Sequence, residues 1–268
     1  MPELPDVEAF RATVQRHFID RPVSRVVVSD PKCLEGVTAL TVQRRLKGRG
    51  IQSTGRHGKY LFLDFGDNIV LVMHFGPAGS LHRVADAQEQ PDYVRFQLDF
   101  SEGESLAYVN RRRIGRVRLV GSAAAFIEQA KLGPDAMDPD FNFPGFAQRV
   151  SVRGQPIKIF LTDQSNLAGI GNTWSDEILF QAQIHPAVRA SSLDAGRTRQ
   201  LFNSMRRVLK IAIDLNPSAA DFEARLPSDF LLPHRHPGGH CPRCGTALER
   251  VVLSGHPSTY CPHCQKAT

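Results

Sequence analysis

The chain lacks any apolar run of the length that a membrane-crossing helix requires. Its start, MPELPDVEAF, also lacks the basic opening and uninterrupted greasy stretch of a secretory signal, so it has to be explained by the mature protein. Cysteine is scarce and unevenly placed: Cys33 stands alone, and Cys241, Cys244, Cys261 and Cys264 fall within the last 28 residues. Without an export signal, that distribution argues for a reducing cytoplasm and for a metal rather than disulfides. No internal repeat or low-complexity tract is present.

What is present describes an ordinary globular protein, with 41% hydrophobic and 22% charged residues in a length of 268 that suits two modest domains or one larger body with an appendage. The net charge of +6, drawn largely from arginine, favours a polyanionic partner, and nucleic acid leads the candidates.

Periodicity divides the chain. Val7, Phe10, Val14 and Phe18 recur at helical spacing, so VEAFRATVQRHF reads as a helix with Asp6 as its N-cap. VSRVVVSD, YLFLDF, NIVLVMHF, VRFQLDF and VRLV then read as short strands without intervening helices, the mark of an antiparallel sandwich or barrel. KLGPDAMDPDFNFPG gathers proline, glycine and aspartate as a domain boundary does. Beyond it QPIKIFLTDQ, TWSDEILFQAQ and DAGRTRQLFNSMRRVLKIAIDL read as helices, the last with Leu201, Met205, Val208 and Ala212 in one stripe and arginines opposite. The expected order is a β domain over 1–130, a helical domain over 131–225 and a metal-bearing knob over 226–268.

Four motifs carry chemistry. In HCPRCGTALERVVLSGHPSTYCPHC two C-x2-C pairs are separated by sixteen residues, a spacing that places four thiolates around one zinc ion. A site filled by four cysteines is closed, so the zinc holds structure, contributing on the order of 10 kcal/mol in so small a module; the alternative is a reduced cluster without metal. His234, His236, His240, His256 and His263 surround it and read as mainly solvated, with phosphate contact or ligand replacement as the alternative for one of them. NRRRIGRVR sets Arg111, Arg112, Arg113, Arg116 and Arg118 about a turn, either as a solvated face or as a phosphate clamp with Ile114 as an apolar wedge. LAGIGNTWSDEILFQAQIHP lacks the third glycine and the preceding strand of a dinucleotide loop, and reads instead as a tight helix-to-helix turn with Asn172 opening a helix whose N-terminus favours phosphate.

The fourth motif is the start itself. A helix cap explains Asp6 but requires neither Pro2 nor Glu3. Once Met1 is removed, Pro2 is a free secondary amine; an unperturbed α-amino group has a pKa of about 7.7–8.0, so a useful fraction is unprotonated near neutral pH, and such an amine can attack a sugar's anomeric carbon to form an iminium ion. Lys59, in RHGKYL at a strand entrance, reads by itself as an ordinary surface lysine.

MPELPDVE, RHGKYL, HFGPAGSL, KLGPDAM, DQSNLAGIGNTWSDEILFQAQIHP and STYCPHCQ, in this order, resemble the formamidopyrimidine-DNA glycosylase / endonuclease VIII family over essentially the whole chain. The resemblance implies an α+β multidomain fold: an N-terminal β-sandwich with a leading helix, a helix-two-turn-helix domain that binds DNA, and a C-terminal zinc-ribbon finger. It implies Pro2 as nucleophile, Glu3 as the acid that opens the sugar ring, and Lys59 and Asp6 in the same catalytic neighbourhood. It implies His74, Arg112, Ile114, Arg153, Asn172 and His256 as DNA-binding residues, and Cys241, Cys244, Cys261 and Cys264 as ligands of one structural zinc.

The chain also departs from the family pattern. Asp6 stands where glutamate is usual, Pro77 where an intercalating methionine is usual, Ile114 in place of phenylalanine and His256 in place of a phosphate-binding arginine. The segment from Asn216 to Cys241 looks shorter than the loop that covers an extruded oxidised purine. These departures point away from oxidised-guanine repair. The expected activity is a base-excision-repair DNA glycosylase with associated lyase activity, acting on oxidised bases or abasic sites as a monomer in the cytoplasm, with damaged DNA as partner and no membrane. The alternative is a non-catalytic damaged-DNA binding protein of the same fold; a zinc-dependent hydrolase would need an open metal position.

Overall fold

The opening residues are a helix cap. Helix α1 spans Leu4–His17, and its N-cap is Glu3 rather than Asp6: the Glu3 carboxylate accepts from the Asp6 amide, and Asp6 Oδ2 accepts from the Glu3 amide at 2.8 Å. This reciprocal capping box satisfies two otherwise orphaned donors, each worth about 1 kcal/mol. It corrects the expectation that nothing in the cap requires Glu3. The apolar face is as the spacing predicts, with Val7, Phe10, Val14 and Phe18 at most 7% exposed.

The computed structural model describes residues 1–85 and 90–266, which fall into two units, Met1–Lys131 and Leu132–Thr268. In the first, β1 (Val23–Val28), β6 (Val94–Phe100), β7 (Ser105–Asn110) and β5 (Gly79–Val84) form one antiparallel sheet in the order β1-β6-β7-β5. A second antiparallel sheet has the order β2-β3-β4-β8, from Ser53–His57, Tyr60–Asp64, Val70–His74 and Arg116–Val120. Period-two alternation then assigns the faces. Leu61 and Leu63 of β3 join Val26, Leu98 and Leu106 of the other sheet in one core, whereas Phe62 points the opposite way onto Phe126 of α3 (Ala123–Gln129). The expected sandwich is present, but strands do not follow one another without helices: α2 (Ala39–Leu46) stands between β1 and β2 and adds Val42 and Leu46 to the core.

Two crossings between the sheets lie at one end of the sandwich. β4 leads through the 3-10 turn Gly76–Ala78 into β5, and β7 leads through residues 111–115 into β8. The register pairs His74 with Arg116 and Gly79 with Asn110, which brings both crossings together. Asn110, wholly buried, fastens them: Nδ2 donates to the Phe75 carbonyl at 2.9 Å and Oδ1 accepts from the Ile114 amide at 3.3 Å. The crossings pack so closely that a Cβ on Gly76 would stand 2.8 Å from the Gly115 nitrogen, and one on Gly115 would fall on the Tyr108 hydroxyl. Only glycine fits at both places.

The second unit contains α4 (Phe143–Ser151), α5 (Ile157–Thr162), α6 (Asn172–Gln181) and α7 (Ala195–Leu215). Asp194 caps α7 by accepting from the Arg197 amide at 2.8 Å, and Leu201, Met205, Val208 and Ala212 are wholly buried along one stripe. Residues 163–171 make two successive turns between α5 and α6. The Gln164 side chain staples them, donating to the Thr162 and Ile170 carbonyls at 2.8 and 2.9 Å and accepting from the Gly169 amide at 3.0 Å. The chain closes on the antiparallel hairpin of β9 (Glu249–Leu253) and β10 (His256–Tyr260) between the two cysteine pairs. Among the described residues, no helix is long and apolar enough to cross a membrane.

Candidate functional site

The first unit gathers Glu3, Asp6 and Lys59 around the start of α1. Glu3 is 2% exposed, while Pro2 is half-buried in front of it and Met1 is 57% exposed. Lys59 lies in the turn between β2 and β3, and at 5% exposure it is not the surface lysine that its sequence context suggests. Burial pushes its amine below the ordinary lysine range, and the Glu3 and Asp6 carboxylates pull it back up. Burial likewise raises the Asp6 carboxyl above the usual carboxylate range, against the Glu3 amide that favours its anion. A proton is therefore more loosely held on Lys59 and more tightly held on Asp6 than in water.

His74, at the end of β4, pairs in register with Tyr60 and stacks on its ring at 4.9 Å. Burial first, then the charges of Lys59, Arg118 and Arg116, push its pKa down to about 4. Near neutral pH it is an uncharged hydrogen-bonding group.

The arginines of residues 111–118 divide into two kinds. Arg113 pairs with Asp30 at 3.1 Å, and Arg116 and Arg118 share Glu35 at 3.5 and 2.7 Å. The Arg112 side chain, by contrast, is exposed and makes no ion pair among the described residues. Ile114 beside it is 55% exposed, an apolar side chain at the tip of a tightly fastened turn.

In the second unit Asn172 is the first residue of α6, behind the Gly171 cap. His256, 84 positions later at the start of β10, brings Nδ1 to 3.3 Å from Asn172 Oδ1. Two sequence-predicted DNA contacts from different modules thus meet. Arg153 is exposed but engaged, donating from Nε to Asn166 Oδ1 in the two-turn segment at 3.0 Å.

The buried core beneath this pair was not foreseen. Lys158 Nζ donates to the Asn172 carbonyl at 3.0 Å, and Asp176 Oδ1 accepts from Ser258 Oγ at 2.6 Å while its Oδ2 accepts from the Thr259 amide at 3.1 Å and from Arg235 at 2.7 Å. One carboxylate on α6 therefore binds the finger hairpin, the loop before the finger and, through Lys158, helix α5. The sequence signal was a lysine inside the apolar run PIKIFL, where a surface residue is out of place.

Four thiolates converge as their spacing predicts. Cys241, Cys244, Cys261 and Cys264 have sulfurs that all lie within 4.8 Å of one another, with Cys241–Cys264 at 3.9 Å and Cys244 at 3.6 Å from both Cys261 and Cys264. A tetrahedron of Zn–S bonds near 2.3 Å sets sulfurs about 3.8 Å apart, so the donor set fits one structural zinc. No protein position is left open on it for a reacting water.

The comparisons with known proteins follow the same three parts. The family model of the formamidopyrimidine-DNA glycosylase N-terminal domain matches residues 1–117, that of the glycosylase H2TH domain matches 132–223, and that of the zinc finger found in FPG and IleRS matches 238–267. The chain is 32% identical over 276 residues to the formamidopyrimidine-DNA glycosylase of Streptococcus pyogenes, covering 99% of both chains, and 33% identical to that of Heliobacterium modesticaldum, covering 99% of this chain and all of that one. Among solved structures it is similar to the Lactococcus lactis glycosylase bound to abasic-site DNA, with TM-score 0.88, 25% identity, and 98% and 99% of the two chains covered. It is similar also to that enzyme bound to DNA containing an oxidised pyrimidine, with TM-score 0.89, 26% identity, and 99% and 100% covered. On this agreement of sequence, domain plan and structure, the chain belongs to the formamidopyrimidine-DNA glycosylase family and is, by that membership, a DNA glycosylase of base-excision repair.

Proposed function

We propose that this glycosylase acts on oxidised bases or abasic sites in DNA and then breaks the strand at the same sugar, with Pro2 as nucleophile after removal of Met1. The observation that carries the reading is the capped N-terminus: a half-buried Pro2 precedes a Glu3 that is 2% exposed, with Lys59 buried within electrostatic reach of that carboxylate.

In the proposed step the Pro2 nitrogen bonds to C1′ and the glycosidic C–N bond breaks, the base leaving with its electron pair and taking up a proton. The Glu3 carboxylate takes the proton that the Pro2 nitrogen loses on bonding to C1′ and passes it to the ring oxygen as the sugar opens, giving an iminium ion at C1′. That cation withdraws electrons, so loss of a C2′ proton expels the 3′ phosphate by elimination. Lys59, a depressed and buried amine, is suited to hold the neighbouring phosphate and to release a proton. Asn172 and His256 together, with Arg112 on the other unit, are the residues read as gripping the DNA backbone. The protein works as a monomer in the cytoplasm on chromosomal DNA.

Sodium borohydride reduction tests the reading. The processed protein becomes covalently trapped on abasic-site DNA, and Pro2→Gly or retention of Met1 abolishes trapping. Full trapping by a Met1-retaining form would remove Pro2 from the mechanism, and salt-dependent DNA binding without product on any lesion would leave a binding protein.

A further inference from the structure

Tyr93 is an aromatic residue that the proposed chemistry does not use. It stands just before β6, 49% exposed, with φ of +62°. A bulky side chain enters that left-handed region only at a cost.

The surroundings are cationic. The guanidinium carbons of Arg95 and Arg111 lie 5.7 and 5.8 Å from the centre of the Tyr93 ring. Arg95 is fixed by donating from Nε to the Asn110 carbonyl at 3.1 Å, and the Asn110 amide donates to the Tyr93 carbonyl at 3.1 Å. Because the Asn110 side chain also holds the Ile114 amide, Tyr93 is mounted on the same frame as Arg112 and the exposed Ile114. Ring faces and guanidinium planes receive unpaired bases by stacking, and the guanidinium charge meets the phosphates on either side. A base within an intact duplex has both faces covered by its neighbours; an unpaired one does not.

We propose that Tyr93, with Arg95 and Arg111, is a stacking subsite for an unpaired nucleotide near the lesion, and that it biases the enzyme towards damage in locally single-stranded DNA. This inference rests on the reading of the chain as a DNA-processing enzyme. The test uses the full-length, zinc-loaded protein and one abasic-site oligonucleotide presented either fully paired or inside a bubble of mismatched pairs. The wild type binds the bubble more tightly than the duplex, and Tyr93→Ala and Tyr93→Gly each reduce that ratio by about ten-fold, while Tyr93→Phe keeps it. Tyr93→Gly also raises the melting temperature, because glycine accepts the left-handed φ without strain, so its lost preference is not a folding defect. A wild type with no preference for the bubble, or a Tyr93→Ala variant that retains it, overturns the subsite. Borohydride trapping of the wild type on the paired duplex is scored separately: its absence sinks the lyase chemistry, and the affinity ratio still decides on Tyr93.

Discussion

Lys158 Nζ and Asp176 Oδ1 lie 2.6 Å apart with both side chains wholly buried. Asp176 also receives Arg235, Ser258 and the Thr259 amide, and Lys158 also donates to the Asn172 carbonyl.

Asp176→Ala removes the carboxylate shared by a buried ammonium and a half-buried guanidinium, and is expected to cost about 3–5 kcal/mol of stability. Lys158→Met leaves the carboxylate with its other donors and should cost less. Urea denaturation of the two variants reads the difference, and the opposite order would show that Asp176 is not the hub.

The depressed pKa of His74 makes stability depend on pH in one direction. Unfolded, its imidazole takes a proton near 6.5; folded, it resists until about 4. Between those values the unfolded chain binds more protons, so the stability present above pH 6.5 is lost as pH falls towards 4. Melting curves across this window should show that decline, and His74→Gln should flatten it. A variant curve parallel to the wild type would mean that His74 is not held neutral by the fold.

Removing zinc should act on the second unit alone. The finger's sulfurs share a core cluster with Phe180 of α6 and Leu231, so loss of the metal should release β9–β10 and separate His256 from Asn172. Hydrogen exchange after chelation should show amide protection lost in the hairpin and kept in the sandwich strands. DNA affinity should fall together with its salt dependence, since a phosphate contact is lost. Unchanged affinity in chelator would place the finger outside the DNA grip.

Much of this architecture was legible because its signals are local. The α1 and α7 stripes, the thiolate spacing and the strands from Tyr60 and Val70 are all written in adjacent residues. Others were not. β2 (STGRH), β5 (GSLHRV) and β7 (SLAYVN) are polar or mixed stretches that become strands because distant partners supply their hydrogen bonds: β2 and β5 are edge strands on β3 and β7, and β7 lies between β6 and β5. α2 and α4 are amphipathic but only eight and nine residues long, so each pattern ends after little more than two turns. The capping box hid Glu3 because a glutamate is an uncommon N-cap. Lys59, Asp176 and Asn110 owe their burial to residues far away in the chain, which no window of sequence contains.

The fastening of the two sheet crossings separates attachment from contact. Asn110, Tyr108, Gly76 and Gly115 hold the tip in place through backbone groups, one buried amide and the Tyr108 hydroxyl, and the side chain of Ile114 takes no share in that anchorage. Such a tip behaves like an exchangeable bit in a fixed chuck: its outermost residue sets what it probes for, and swapping that residue retunes the tool without rebuilding the handle.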